Sequence, residues 1–221
     1  MTILQTAMIV RVLVIFYKLT RTAKEFLADP SSFDLYASHG HYTNVFSFEE
    51  ITGLGNVFNT YLDRNSDGIV SSEQLHTLMN TLGVNMTQEE ADSLAKAIIE
   101  AEASFETAQR DDIKSKRTAA GKLGLTREVF FQWYASQLSH HNDKKECADY
   151  LFGMFDRDDS GDITVLEFKQ SLDALAFGIS HDESDELLEE LDQDGNGVLC
   201  ANEFEEMVEH FWPLEFKDAV G

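Results

Sequence analysis

Two twelve-residue stretches, DRDDSGDITVLE at 156–167 and DQDGNGVLCANE at 192–203, place oxygen-bearing side chains at loop positions 1, 3 and 5. Each continues with glycine at position 6, an apolar residue at 8 and glutamate at 12. Carboxylates this crowded repel one another unless a cation sits among them, and an all-oxygen donor set suits a hard dication that takes six to eight ligands. A short loop can wrap such an ion only if alternate residues turn inward and the backbone reverses at position 6, where Gly161 and Gly197 tolerate positive φ. Position 7 contributes its backbone carbonyl, so Asp162 and Val198 enter as main-chain ligands and the Asp162 side chain is not counted. The two expected ligand sets are Asp156, Asp158, Ser160, Asp162 and Glu167, and Asp192, Asp194, Asn196, Val198 and Glu203. A bidentate glutamate at position 12 supplies the further oxygen that calcium accepts and an octahedral magnesium ion does not.

A third stretch, DRNSDGIVSSEQ at 63–74, keeps Asp63, Asn65, Asp67 and Gly68 and would offer the carbonyl of Ile69, but it ends in Gln74. An amide has one oxygen and no charge, and the neighbouring Glu73 falls at position 11, where it should point away. This loop is expected to be weak, magnesium-tolerant or empty. A fourth unit begins well in TLGVNMTQEEADSLAKAI, where Gly83 ends one helix and Thr87 with Glu90 starts the next as a capping box. It ends in LGLTREVFFQWY, with Leu125 at the position-8 place and Val129 where the glutamate belongs. Between them ETAQRDDIKSKRTAAGK is longer and more basic than an ion loop, so no calcium is expected there and the unit reads as a structural partner.

The elements that must hold these loops are helices, because the apolar residues repeat at helical spacing and the chain has only two prolines. Leu151, Phe152 and Phe155 line the helix entering the loop at 156–167, and Phe168, Leu172 and Leu175 the one leaving it. Leu187, Leu188 and Leu191 precede the loop at 192–203, with Ser180 and Glu183 as a capping box; Phe204, Met207, Val208 and Phe211 follow it. Ile163 and Leu199, both at position 8, should pair the loops through a short antiparallel ladder.

From about Ser47 to Phe211 the chain resembles the calmodulin-like EF-hand superfamily, on the two complete loops, the damaged first loop and the link between the first two units. The resemblance implies an all-α fold of two lobes of paired hands, with a β ladder between paired loops. The expected organisation is an extension at 1–46, a first pair at 47–140, a second pair at 141–213 and a tail at 214–221. The implied function is calcium binding at two sites, in a sensor that opens a hydrophobic groove and engages the amphipathic helix of a target. Gln74 and the expanded second loop set the first lobe apart from that behaviour. Two alternatives stand beside it: a buffer similar to the sarcoplasmic calcium-binding proteins, and a chromophore-binding module similar to photoproteins, suggested by the tail HFWPLEF with His210 and Trp212. No nucleophile, acid–base pair or phosphate loop suggests an enzyme.

A net charge of −23 argues against nucleic acid as a partner and favours cations or basic segments, while 43% hydrophobic residues are ample for cores in a chain of 221. Two cysteines, Cys147 and Cys200, are too few for a disulfide framework and fit a reduced, cytoplasmic setting, with membrane or cytoskeletal association open. The first 24 residues run against the acidic trend, with Arg11, Lys18, Arg21 and Lys24 and no acid. They read as a signal or anchor segment cut short by Arg11, as a target-like basic helix for a membrane surface or for the protein's own groove, or as a helix packed permanently on a lobe along Leu4, Met8, Val12, Ile15 and Leu19. The groove would offer Leu172, Leu175, Met207 and Phe211, rimmed by Glu205, Glu206 and Glu209. His39, His41, His140 and His141 lack partners at zinc-site spacing and read as surface residues.

Overall fold

The computed structural model describes residues 3–30, 42–105, 124–138, 144–175 and 177–212. The four histidines at 39, 41, 140 and 141, the insertion at 106–122 and the tail from Pro213 lie outside the described residues. The described residues form helices joined by loops, with four three-residue strands. In order it runs α1 (Ile3–Ala28), α2 (Phe48–Val57) with a π turn at Phe58–Leu62, β1 (Ile69–Ser71), α3 (Ser72–Thr81), α4 (Gln88–Phe105), β2 (Gly124–Thr126) and α5 (Arg127–Leu138). It continues with α6 (Lys144–Phe155), β3 (Asp162–Thr164), α7 (Val165–Ala174), α8 (His181–Leu191), β4 (Val198–Cys200) and α9 (Ala201–His210).

Local chemistry sets the helix starts. Ser47 with Glu50, Ser71 with Gln74, Thr164 with Glu167 and Ser180 with Glu183 each form a reciprocal capping box, which satisfies two otherwise orphaned backbone donors. Thr87 and Glu90 hydrogen-bond in the same way before α4, and Gly83, at φ 80°, lets the chain leave α3 in the left-handed conformation.

The described residues group into two compact units. In one, residues up to Tyr17 join those from Lys144 to Trp212; the other is built from residues 18–138. The segment expected as an extension therefore contributes to both.

The first unit packs α6 against α9 around Phe155, whose ring centroid lies 5.5 Å from that of Phe168 and 5.6 Å from that of Phe204. All three are buried, each contributing on the order of 2 kcal/mol through area removed from water. Leu172, Leu175 and Met207, the expected groove residues, are buried as well, while Phe211 is half-buried. Two of the expected rim acids are engaged within the unit: Lys145 Nζ donates to Glu205 at 3.1 Å and Gln193 Nε2 donates to Glu206. The Tyr17 ring lies 5.6 Å from that of Tyr150 on α6.

In the second unit, Phe130 on α5 gathers Phe58, Trp133 and Tyr134, with centroids 5.7, 5.7 and 6.3 Å away. Thr22 on α1 donates to Gln137 Oε1 at 3.4 Å and the Tyr42 amide to Gln132 Oε1 at 3.0 Å. Strand β1 pairs antiparallel with β2, Val70 facing Leu125. Gly124 permits this approach, since a Cβ there would lie 2.6 Å from the Val70 carbonyl oxygen.

Helix α1 corrects the single-stripe expectation. Met8 is 40% exposed, whereas Val10, Leu13, Val14 and Phe16, off the stripe, are buried with Val12, Ile15 and Leu19; the side chain of Leu4 is not described. The buried apolar residues of α1 thus spread well beyond one stripe, leaving Met8 and Arg11 exposed, and a helix covered on most of its sides belongs in a core. Among the described residues no helix is long and apolar enough to cross a membrane.

Candidate metal centre

The two complete loops share one frame. Position 1 lies at the end of the entering helix, and its carboxylate caps the loop: Asp156 Oδ1 and Oδ2 accept the Ser160 and Gly161 amides, both at 2.9 Å, and Asp192 accepts those of Asn196 and Gly197 at 3.2 and 2.7 Å. Gly161 (φ 91°) and Gly197 (φ 84°) make the reversal, as their position requires, and Asp159 (φ 53°) and Gly195 (φ 71°) make a second at position 4. Asp159 is an aspartate in the left-handed region, which its short polar side chain tolerates.

Position 12 is the third residue of the exit helix, so its glutamate also belongs to that helix's start. Glu167 Oε2 accepts the Thr164 amide at 2.9 Å and the Thr164 hydroxyl at 2.6 Å, while its Oε1 accepts the Arg157 amide at 3.2 Å. Glu203 Oε2 accepts the Cys200 amide at 2.9 Å and its Oε1 the Gln193 amide at 2.8 Å. The backbone donors at Arg157 and Gln193 were not anticipated from ligand spacing. The Thr164 contact was legible as a T-x-x-E box overlapping positions 9 to 12.

The consequence is two clusters of three carboxylates. One ligand oxygen each from Asp156, Asp158 and Glu167 lie within 4.8 Å of one another, as do those of Asp192, Asp194 and Glu203. Hydrogen bonds hold Glu167, Asp192 and Glu203 in the charged form. The Thr164 hydroxyl and amide lower the pKa of Glu167, and the Gly197 amide that of Asp192. For Glu203 burial acts upward, but the donors at Cys200, Gln193 and Asp194 outweigh it and the pKa is lowered. Like charges held together with only N–H and O–H donors as partners fit a hard dication.

The remaining expected ligands fall at the same loops. Ser160 Oγ donates to the Asp162 carbonyl oxygen at 3.0 Å, and the Asp162 residue is exposed, in keeping with a main-chain role. Asn196 Nδ2 donates to Asp194 at 3.0 Å, and its Oδ1 accepts the Val198 amide at 2.9 Å. A bound calcium ion would supply structural charge here, replacing carboxylate repulsion by a shared attraction.

The loop at 63–74 has the frame without the cluster. Asp63 is buried and accepts the Asp67 and Gly68 amides at 3.2 and 2.8 Å, and Asp67 accepts the Ile69 amide at 3.0 Å. Asn65 donates to Asp67 at 2.9 Å, Gln74 sits at position 12, and Glu73 is exposed. In the partner hand Val129 is buried at the place of the missing glutamate.

Residues 145–209 match the EF-hand domain pair family. Calmodulin-like protein 9 of Arabidopsis thaliana is 26% identical over 75% of this chain and 95% of its own length. Troponin C isoform 2B of Homarus americanus is 25% identical over 72% of this chain and 95% of its own. Calcium-dependent protein kinase 11 of Oryza sativa subsp. japonica is 30% identical over 74% of this chain, but the match covers only 24% of the kinase. With two carboxylate clusters in their loops, residues 145–209 are an EF-hand pair, and over three-quarters of its length the chain is similar to calmodulin-like calcium-binding proteins.

Proposed function

We propose that the protein is a non-enzymatic calcium sensor of the cytoplasm, whose second pair of hands loads two ions together and then engages the amphipathic helix of a partner. The start of α1 holds that place in the resting protein. The observation that carries this reading is the grouping of residues up to Tyr17 with the second pair, where Ile9, Val10, Val12, Leu13 and Phe16 are buried. α1 is basic and apolar whereas the lobe is acidic, so charge favours the association. A segment tethered in this way competes at high effective concentration, so a partner must offer a better helix to replace it. Free thiols at Cys147 and Cys200 suit a reducing compartment.

The buffer reading is favoured by one observation: Leu172, Leu175 and Met207 are already covered, at 0, 2 and 4% exposure. Titration of the full chain with calcium, followed by a hydrophobic dye and a generic calmodulin-target peptide, separates the two. A sensor gains dye signal and binds peptide only in calcium. A version lacking the first 24 residues, verified as helical by circular dichroism, should bind the peptide at least tenfold more tightly than the full chain. Equal binding discards the docking of α1, and an unchanged dye signal with calcium bound leaves a buffer.

A further inference from the structure

The first loop has the full backbone frame of the other two. Positions 4 and 6 are left-handed at Ser66 (φ 57°) and Gly68 (φ 85°), and Asp63 caps the loop as Asp156 and Asp192 do. Its position 12 behaves differently. Glu167 and Glu203 turn one oxygen to the helix start and the other to the backbone amide at position 2. Gln74 keeps the first contact, its Oε1 accepting the Ser71 amide at 2.8 Å. Its other arm is a donor: Nε2 donates to Asn65 Oδ1 at 3.3 Å, and Asn65 Nδ2 in turn donates to Asp67 Oδ2 at 2.9 Å.

The position-3 oxygen of Asn65 is thereby taken by the Gln74 amide, a contact from position 12 that neither complete loop has, whereas the Asn65–Asp67 bond has its counterpart in Asn196–Asp194. The loop also carries fewer ligand-position carboxylates, Asp63 and Asp67 against three in each complete loop, so less repulsion needs to be relieved. We infer that Gln74 is a positioning residue that keeps the first hand closed without a cation, its carboxamide bridging position 12 to position 3 where the complete loops need an ion. The entering helix carries a matching departure. The Asp63 amide donates to the Phe58 carbonyl five residues back at 2.8 Å, whereas the Asp156 and Asp192 amides reach four residues back. The first pair is then a permanently formed body, and its folding does not follow calcium.

Hydrogen exchange on the full chain tests this, in chelator and then in saturating calcium or magnesium. Residues 63–74 should exchange alike, within about twofold, in all three conditions, while residues 156–167 and 192–203 slow at least tenfold in calcium. The isosteric Gln74→Glu change removes the donor to Asn65 and adds a third carboxylate. It should speed exchange of residues 63–74 at least tenfold in chelator and add a calorimetric calcium site that the parent chain lacks. Slowing of the parent's first loop by either ion overturns the inference. So does a Gln74→Glu chain whose first loop is equally protected in chelator. Should that variant fail to fold, the measurement on the parent chain decides alone.

Discussion

Ile163 and Leu199 stand directly opposite one another in the β3–β4 ladder, and both are fully buried. Each lies between the main-chain ligand at position 7 and the glutamate at position 12 of its own loop, so moving one loop's ligands moves the strand that the other is paired with. Glu203→Gln should therefore weaken both sites of the second pair, each by about tenfold or more, roughly 1.4 kcal/mol per site. Calorimetry that finds the loop at 156–167 unchanged in affinity would show the ladder to be passive.

The β1–β2 ladder depends on a missing side chain. A Cβ on Gly124 would come within 2.3 Å of Ile69 Cγ2 and 3.0 Å of the Ser71 Cα, and those neighbours include backbone that cannot swing aside. Gly124→Ala should cost about 1–3 kcal/mol in denaturant unfolding through overpacking. A neutral substitution would mean that the ladder opens freely.

Burial of α1 makes an asymmetric prediction along one helix. Phe16→Ala should cost about 3–5 kcal/mol, because a fully buried ring is lost, whereas Met8→Ala, at an exposed position, should stay within about 0.5 kcal/mol. If urea unfolding gives the two variants the same stability, α1 is not part of a core and a membrane contact through residues 1–24 becomes the better account.

Acid stability should report two capping boxes. Glu90 is held below the ordinary glutamate range by the Thr87 amide and then its hydroxyl, and Glu183 by the Ser180 amide and hydroxyl. A folded-state pKa below the unfolded one gives stability that is present above the unfolded value of about 4.3 and is lost as pH falls through the lower folded value. Glu90→Gln with Glu183→Gln should lower the melting temperature near neutral pH and flatten its fall below about pH 4.3. A melting profile parallel to that of the parent chain across this window would show that these carboxylates titrate alike in both states.

What could be read along the chain was whatever closes within a dozen residues. The ligand positions at 156–167 and 192–203, the glycines at position 6, the boxes at Thr87 and Ser180 and the defect at Gln74 all follow from backbone geometry between near neighbours. Leu125 could be counted to position 8 from the sequence, and the fold sets it opposite Val70 in the β1–β2 ladder. Other features were settled only by tertiary structure. The π turn at Phe58–Leu62 shifts one hydrogen bond by one residue and leaves no mark in apolar spacing. The direction of the Gln74 amide became visible only once the loop had brought it to Asn65. Burial of α1 beyond a single stripe depends on groups more than a hundred residues away, such as Tyr150 against Tyr17 and Gln137 against Thr22. Which oxygens gather is written into each loop, since the ligand positions lie within twelve consecutive residues. Whether apolar surface is left for a partner was decided by packing, since burial belongs to the assembled chain and not to any one stretch of it.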